Sequence, residues 1–312
     1  MNMLYNFSSA LLRAVGDTKR PLYCLAAAGI INVVLNLVFV IGFSMSVAGV
    51  ALATIISETV SACLVTAMLV REKGALHLDL HKLGFHAGAL KQILLIGLPA
   101  GLQSTVFSLS NVVIQSSINS FGSIAMAGSA AAANIEGFVY VSMNSVAQAS
   151  LSFASQNIGA RRYERISKIS RTCLLLAALF GLVLGNGVYL LHDTFLRFYS
   201  PDPAVIEAGA LRLSVICTTY FLCGLMDTLA CILRAMGKSL LPMVVTIIGA
   251  CGLRVLWIYT VFPLDRTFFT LFLSYPITWG VTAAVHAVCY FFTKRTMLRR
   301  AQASAPSEAS ST

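Results

Sequence analysis

Charge is scarce in this sequence. Only 11% of its 312 residues are Asp, Glu, Lys or Arg, and just 12 are acidic, whereas soluble domains carry about 25% charged residues. A water-soluble fold of this size needs a charged coat, so that class is excluded. Paired cysteines are missing too: the eight, at 24, 63, 173, 217, 223, 231, 251 and 289, include no C-x-x-C. They read as small buried hydrophobes rather than disulfides or metal ligands. No D-x-x-D, H-x-x-E-H or G-x-S-x-G occurs, which argues against a membrane-bound transferase or hydrolase and implies no catalytic residue, metal or organic cofactor. The first twelve residues lack the basic start and small-residue cleavage site of a signal peptide.

Long apolar runs are abundant: 57% of the chain is hydrophobic. Eight segments reach the roughly 20 apolar residues that a membrane-crossing helix needs. They cover residues 21–43, 47–70, 92–121, 124–155, 172–191, 208–233, 242–262 and 268–292. Residues 71–91 and 156–171 form the two longer connections, and Pro99 is placed at a helix start, where proline is tolerated. Of the 22 Lys and Arg, 18 fall on one side of the resulting hairpins. That asymmetry predicts a multi-pass protein of the plasma membrane with both ends cytoplasmic. The net charge of +10 is therefore a matter of topology, not of nucleic-acid binding.

A ten-residue pattern recurs. Leu12-Arg13-Ala14-Val15-Gly16-Asp17-Thr18-Lys19-Arg20-Pro21 returns as Leu233-Arg234-Ala235-Met236-Gly237-Lys238-Ser239-Leu240-Leu241-Pro242. Each copy ends a helix with an arginine to cap its last carbonyls, turns on glycine and starts the next helix near proline. Duplicated bundles of this kind are the usual build of secondary transporters.

The chain resembles the multidrug and toxic compound extrusion (MATE) family. The resemblance rests on Tyr5-Asn6-x-x-Ser9-Ala10-Leu11-Leu12-Arg13-Ala14-x-Gly16-Asp17, then Asn32 and Asn36, Gly49-Val50-Ala51-Leu52-Ala53-Thr54, Gly97-Leu98-Pro99 and Gln156-Asn157-Ile158-Gly159-Ala160. The second copy of the repeat completes it. Ser155 and Ala235 stand where the family often has glycine. The resemblance implies an all-α, polytopic helical bundle: eight transmembrane helices plus a partial N-terminal one, part of a two-lobe, twelve-helix fold whose helices one to three are missing. Residues 1–75 would then be an N-lobe remnant, holding the end of helix four with helices five and six. Residues 76–91 would be a cytoplasmic inter-lobe loop, 92–293 a complete six-helix C-lobe and 294–312 a disordered cytoplasmic tail. The implied activity is export of small organic cations by a monomeric antiporter coupled to Na⁺ or H⁺. A lipid-linked saccharide flippase of the same architecture and a truncated, non-transporting fragment remain alternatives.

Ionisable residues inside spans are costly, so each needs a reason. Glu58, Glu136, Arg212, Asp227 and Arg254 are such residues. Glu136 starts a stripe through Tyr140, Asn144 and Gln148, and the preceding span carries Ser104, Ser108, Asn111, Gln115 and Asn119. Two such stripes suggest a water-accessible cavity, in which Glu136 and Asp227 are the candidates for cation coupling or substrate contact. In one branch of the family, acidic C-lobe residues take part in coupling; another branch relies on an Asp in the first helix. A protonated Glu136 bonded to a neighbouring helix is the structural alternative. Asn32, Asn36 and Glu58 are candidate cavity residues of the first block, although interhelical hydrogen bonds explain the asparagines equally well. Arg254 is expected to pair with one of the two carboxylates, Arg212 to snorkel from a span end, and Pro276 to supply a kink that either hinges or is static.

Overall fold

The structure, a computed structural model, describes residues 1–73, 76–82 and 84–303. It is helical, with no strand among the described residues. The chain divides into two compact units, Met1–His86 and the remainder from Ala87 onward. Eight helices are long and apolar enough to cross a membrane, matching the eight apolar runs.

The first unit holds α1 (Asn2–Ala14), α2 (Lys19–Leu37, continued by a π turn over Val38–Gly42) and α3 (Ser46–Arg71). Tyr5 and Leu12 of α1 pack with Cys24 of α2 and with Ala62, Val65 and Leu69 of α3. The Tyr5 hydroxyl donates to the Pro21 carbonyl at 3.1 Å, tying α1 to the start of α2. Asp17 precedes α2 and accepts the backbone N–H groups of Arg20 and Lys19, each at 3.2 Å. The Arg20 amide is the main reason that its carboxyl is held below the usual carboxylate range. The Arg20 guanidinium bridges Asp17 and Glu72, the latter just after α3.

The second unit holds α4 (Ala87–Asn119), α5 (Ser123–Gly159), α6 (Ile166–Leu190), the short α7 (His192–Arg197) and α8 (Pro203–Ala235). Then follow α9 (Leu240–Thr246), a π segment (Ile247–Gly252), α10 (Leu253–Thr260) and α11 (Phe268–Ala303). Helix α8 is the centre of this unit. It packs on α5, α6 and α11, and 17 of its 33 residues are buried, which is why its sequence is apolar on nearly every face. An aromatic column runs along its contact with α11: Tyr220 stacks on Trp279 at 5.3 Å, and Trp279 meets Tyr275 edge-on at 5.4 Å.

The two copies of the repeat form the same turn. Gly16 has φ +91° and Gly237 φ +76°, the left-handed conformation that favours glycine. In the first copy Gly16 N–H donates to Arg13 O and Asp17 N–H to Leu12 O. In the second, Gly237 N–H donates to Arg234 O and Lys238 N–H to Leu233 O. This paired bonding is the Schellman helix end, reproduced in both units.

Several expectations need correction. Pro99 is not at a helix start: α4 begins at Ala87 and runs through it. Nearby, the Ile96 carbonyl accepts Ser239 Oγ–H at 2.9 Å, which ties α4 to the start of α9. The 156–171 connection is shorter than expected, because α5 continues to Gly159 and a 3₁₀ turn over Tyr163–Arg165 leads into α6. Residues 294–303 are helical rather than disordered; the rest of the expected tail, 304–312, lies outside the described residues. Six cysteines are buried, but Cys63 is exposed. Arg234 does not reach the last carbonyls of its helix; it turns inward to Gln103.

Candidate substrate and coupling-ion cavity

Three helices of the second unit bring polar stripes together. Helix α4 carries Gln103, Ser104 and Ser108 at helical spacing, α5 carries Tyr140, Asn144 and Gln148 four apart, and α8 supplies Cys223, Asp227 and Arg234. With Thr246 of α9 and the Phe107 ring they line a cavity of about 310 Å³. Because residues three or four apart share a helix face, one rotation of each helix brings these residues into the same space.

Asp227 is the acidic residue of this lining. Its carboxylate makes no hydrogen bond and no ion pair among the described residues. At one end of the cavity, Arg234 Nη2–H donates to Gln103 Oε1 at 2.9 Å, and Gln103 Nε2–H donates to Thr246 Oγ1 at 3.1 Å. This relay joins α8, α4 and α9 and fixes the arginine near the carboxylate without closing on it. On the α5 wall, Asn144 Nδ2–H donates to Tyr140 Oη at 3.2 Å. The arrangement offers a carboxylate, amide oxygens and hydroxyls, the hard oxygen donors that suit an alkali ion or a proton, beside an aromatic ring that suits an organic cation.

Glu136 lies apart from this lining. It is buried between α5 and α8 in a two-pronged ion pair with Arg212: Nε–H to Oε1 at 2.8 Å and Nη2–H to Oε2 at 2.9 Å. Arg212 Nη1–H also donates to Ser129 Oγ at 2.6 Å, and the guanidinium sits 5.3 Å from the Phe272 ring centre. Arg212 is thus 7% exposed and does not snorkel; the carboxylate 76 positions away draws it inward.

Arg254 is fully buried, and the expected pairing with a carboxylate is not what holds it. Among the described residues its polar contact is Nη1–H to Asn111 Oδ1 at 3.2 Å. Its guanidinium carbon lies 4.2 Å over the Tyr275 ring and 5.5 Å from the Phe107 ring. Aromatic faces take the place of a counter-ion. Of the remaining stripe residues, Asn111 holds Arg254 and Gln115 donates to Asn119 at 3.1 Å; neither lines the cavity described above. Pro276 is buried inside α11.

In the first unit, Asn32 Nδ2–H donates to Ser57 Oγ at 3.1 Å and Asn36 Nδ2–H to Asn32 Oδ1 at 3.0 Å, so the asparagines join α2 to α3. Glu58 accepts from Asn2 Nδ2–H at 3.2 Å, and Asn6 Nδ2–H donates to Asn2 Oδ1. In the register of the repeat Asn6 stands where the second copy has Asp227. Sequence reasoning missed Gln103, Thr246 and Arg234 as part of the site. The signal available for Gln103 was its place beside Ser104, the first residue of the polar stripe of that span.

The MatE family model matches residues 99–260, more than half of the chain. A probable multidrug resistance protein of Bacillus subtilis, YpnP, is 30% identical over 250 residues, covering 80% of this chain and 56% of its own. A second from the same organism, YoeA, is 27% identical over 259 residues, covering 81% and 56%. The chain therefore spans about half the length of the curated relatives it matches. Among solved structures, the Vibrio cholerae MATE transporter VcmN superposes with a TM-score of 0.85 at 19% identity, over 94% of this chain and 66% of that one, which establishes the shared fold. With its eight apolar helices, its duplicated helix ends and this match across the second unit, the chain is a multi-pass membrane protein that belongs to the MatE family of transporters.

Proposed function

We propose that this chain works in a multidrug exporter that moves small organic cations outward by alternating access, in exchange for Na⁺ or H⁺. The observation that carries this reading is the unpartnered Asp227 carboxylate in a polar cavity within the membrane-spanning helices. An intramembrane carboxylate without a protein partner is costly, and a bound cation or proton removes that cost. Such binding discharges Asp227 and favours one facing of the lobes, and the substrate cation competes for the same charge. Exchange follows because each ligand binds the two facings with different affinity. Tyr140, Asn144, Gln148 and Ser108 supply the remaining polar wall. Asn111 stays on Arg254 and Gln115 on Asn119, while Asn32, Asn36 and Glu58 serve contacts within the first unit. Pro276 gives α11 a point at which to bend during the change of facing. Glu136, paired with Arg212, sets the spacing of α5 and α8 rather than meeting the ion. Both ends of the chain lie in the cytoplasm, where the 18 clustered cations are retained. The chain carries its substrate without converting it, so it is not an enzyme.

The test is ethidium efflux from cells expressing the complete reading frame that encodes this chain. Asp227→Asn is expected to lower efflux at least tenfold while leaving the thermal midpoint of the purified protein unchanged, because no protein partner is lost. Wild-type efflux by the Asn variant would remove Asp227 from the coupling role.

A further inference from the structure

A second feature of the same unit lies on its outer surface, between α5 and α6. There a groove of about 630 Å³ is lined by Val146 and Phe153 of α5 and by Thr172, Leu176 and Phe180 of α6, with Lys168 as its one charged residue. Phe153, Leu176 and Phe180 are exposed by 56%, 39% and 40%. Lys168 marks one end of the groove and Phe180 lies twelve residues further along α6, about 18 Å of helix rise. That length is close to the hydrocarbon depth of one leaflet, about half of a 30 Å core.

The charged end is not an isolated lysine. Arg161, Arg162, Arg165, Lys168 and Arg171 fall within eleven residues, with Glu164 as the one acid among them. All five cations are exposed, and none forms an ion pair among the described residues. Arg161 takes a left-handed conformation, φ +56°, in the turn between α5 and α6, and Arg165 stands one turn before Lys168, the cation that lines the groove.

We propose that this groove is a binding site for an anionic phospholipid, with one acyl chain along the α5–α6 groove and the phosphate on Lys168 and Arg165. The chemistry requires an amphiphile. A soluble anion would use the cations and leave the groove empty, and a neutral lipid would fill the groove and leave the cations unused. Lys and Arg close to an anionic leaflet are attracted to it, and a fixed phosphate between two of them adds charge-assisted hydrogen bonds. The site is separate from the Asp227 cavity, since the two share no lining residue.

Native mass spectrometry of the purified 312-residue chain provides the test. The protein is exchanged into detergent with palmitoyl-oleoyl phosphatidylglycerol or with phosphatidylcholine of the same chains. At least tenfold greater retention of phosphatidylglycerol is expected. That preference should disappear in Arg165→Gln/Lys168→Gln and survive in Lys168→Arg. Val146→Trp, which fills the groove, should reduce retention of both lipids. Equal retention of the two lipids by the wild type would overturn the proposal without any variant. So would an unchanged preference in the double variant, or displacement of the lipid by millimolar inorganic phosphate. None of these readouts depends on transport, so they stand or fall separately from the role of Asp227.

Discussion

Glu136→Gln is expected to destabilise the second unit by about 3–5 kcal/mol, the usual cost of removing one partner from a buried ion pair. The substitution keeps the shape of the side chain. It replaces a carboxylate that accepts two guanidinium N–H groups, at 2.8 and 2.9 Å, with an amide that has one oxygen and presents N–H groups to a cation. Arg212 cannot escape to water, since it is 7% exposed and also held by Ser129 and packed beside Phe272. The apparent melting temperature in detergent should fall by about 6–20 °C, taking about 2–4 °C per kcal/mol for a unit of this size. Arg212→Met should also destabilise, because it leaves the Glu136 carboxylate buried without its partner. The double variant Glu136→Gln/Arg212→Met should recover most of the loss, as apolar replacements of whole buried pairs often do. A coupling residue behaves differently: its Gln variant would lose transport at unchanged melting temperature, and the double variant would not regain it. A Glu136→Gln protein that melts with the wild type would show that the pair does not hold α5 to α8.

The contrast between Glu136 and Asp227 also marks what the sequence could tell. Periodicity placed Glu136 on a polar stripe, Asp227 stood out as a charge inside an apolar span, and hydropathy counted the spans, because each is a property of one helix. Which stripe faces which neighbour depends on how helices are rotated against one another, and no local pattern records that. Arg212 illustrates the point: its distance from a span end suggested snorkelling, while its partner lies 76 residues earlier on α5. Arg254 was expected to need a carboxylate, yet Asn111 and the Tyr275 and Phe107 rings surround it. Aromatic residues carry no polar signal by which a sequence would nominate them as partners for a cation. The helix ends misled for a different reason. Residues 294–312 were expected to form a disordered tail, but Lys and Arg are good helix formers, and α11 runs beyond its apolar stretch to Ala303. The backbone of the duplicated turns was legible, because a Schellman end is written in a few adjacent residues with glycine at the left-handed position; where Arg234 points was not, since its partner Gln103 lies on another helix.

The packing of α6 on α8 yields the second large effect. Gly181 and Gly185, four apart on α6, form the small-residue face by which membrane helices approach closely. A Cβ added at Gly185 would lie 2.1 Å from the Cys217 carbonyl oxygen, and one at Gly181 would lie 2.5 Å from the Phe221 Cα. Both obstacles are backbone atoms of α8, so no rotamer change relieves them; the helices themselves must separate. Overpacking a close-fitted interior costs about 1–3 kcal/mol, and more where the backbone has to move. Gly185→Val is therefore expected to melt well below the wild type, by more than Gly185→Ala, and Gly181→Ala/Gly185→Ala by more than either alanine variant alone. Gly187, two residues further along the same helix, is the control: a Cβ there meets nothing within 4 Å. Gly187→Ala should leave the melting temperature unchanged or raise it, since alanine is up to about 1 kcal/mol better than glycine in a helix interior. The consequence reaches the cavity, because α8 carries both Asp227 and Arg212 on faces set by this contact. If Gly185→Val and Gly187→Ala melt together, α6 and α8 do not meet in the close packing described here. If the valine variant alone falls, substrate export should fall with it even though position 185 touches no part of the polar cavity.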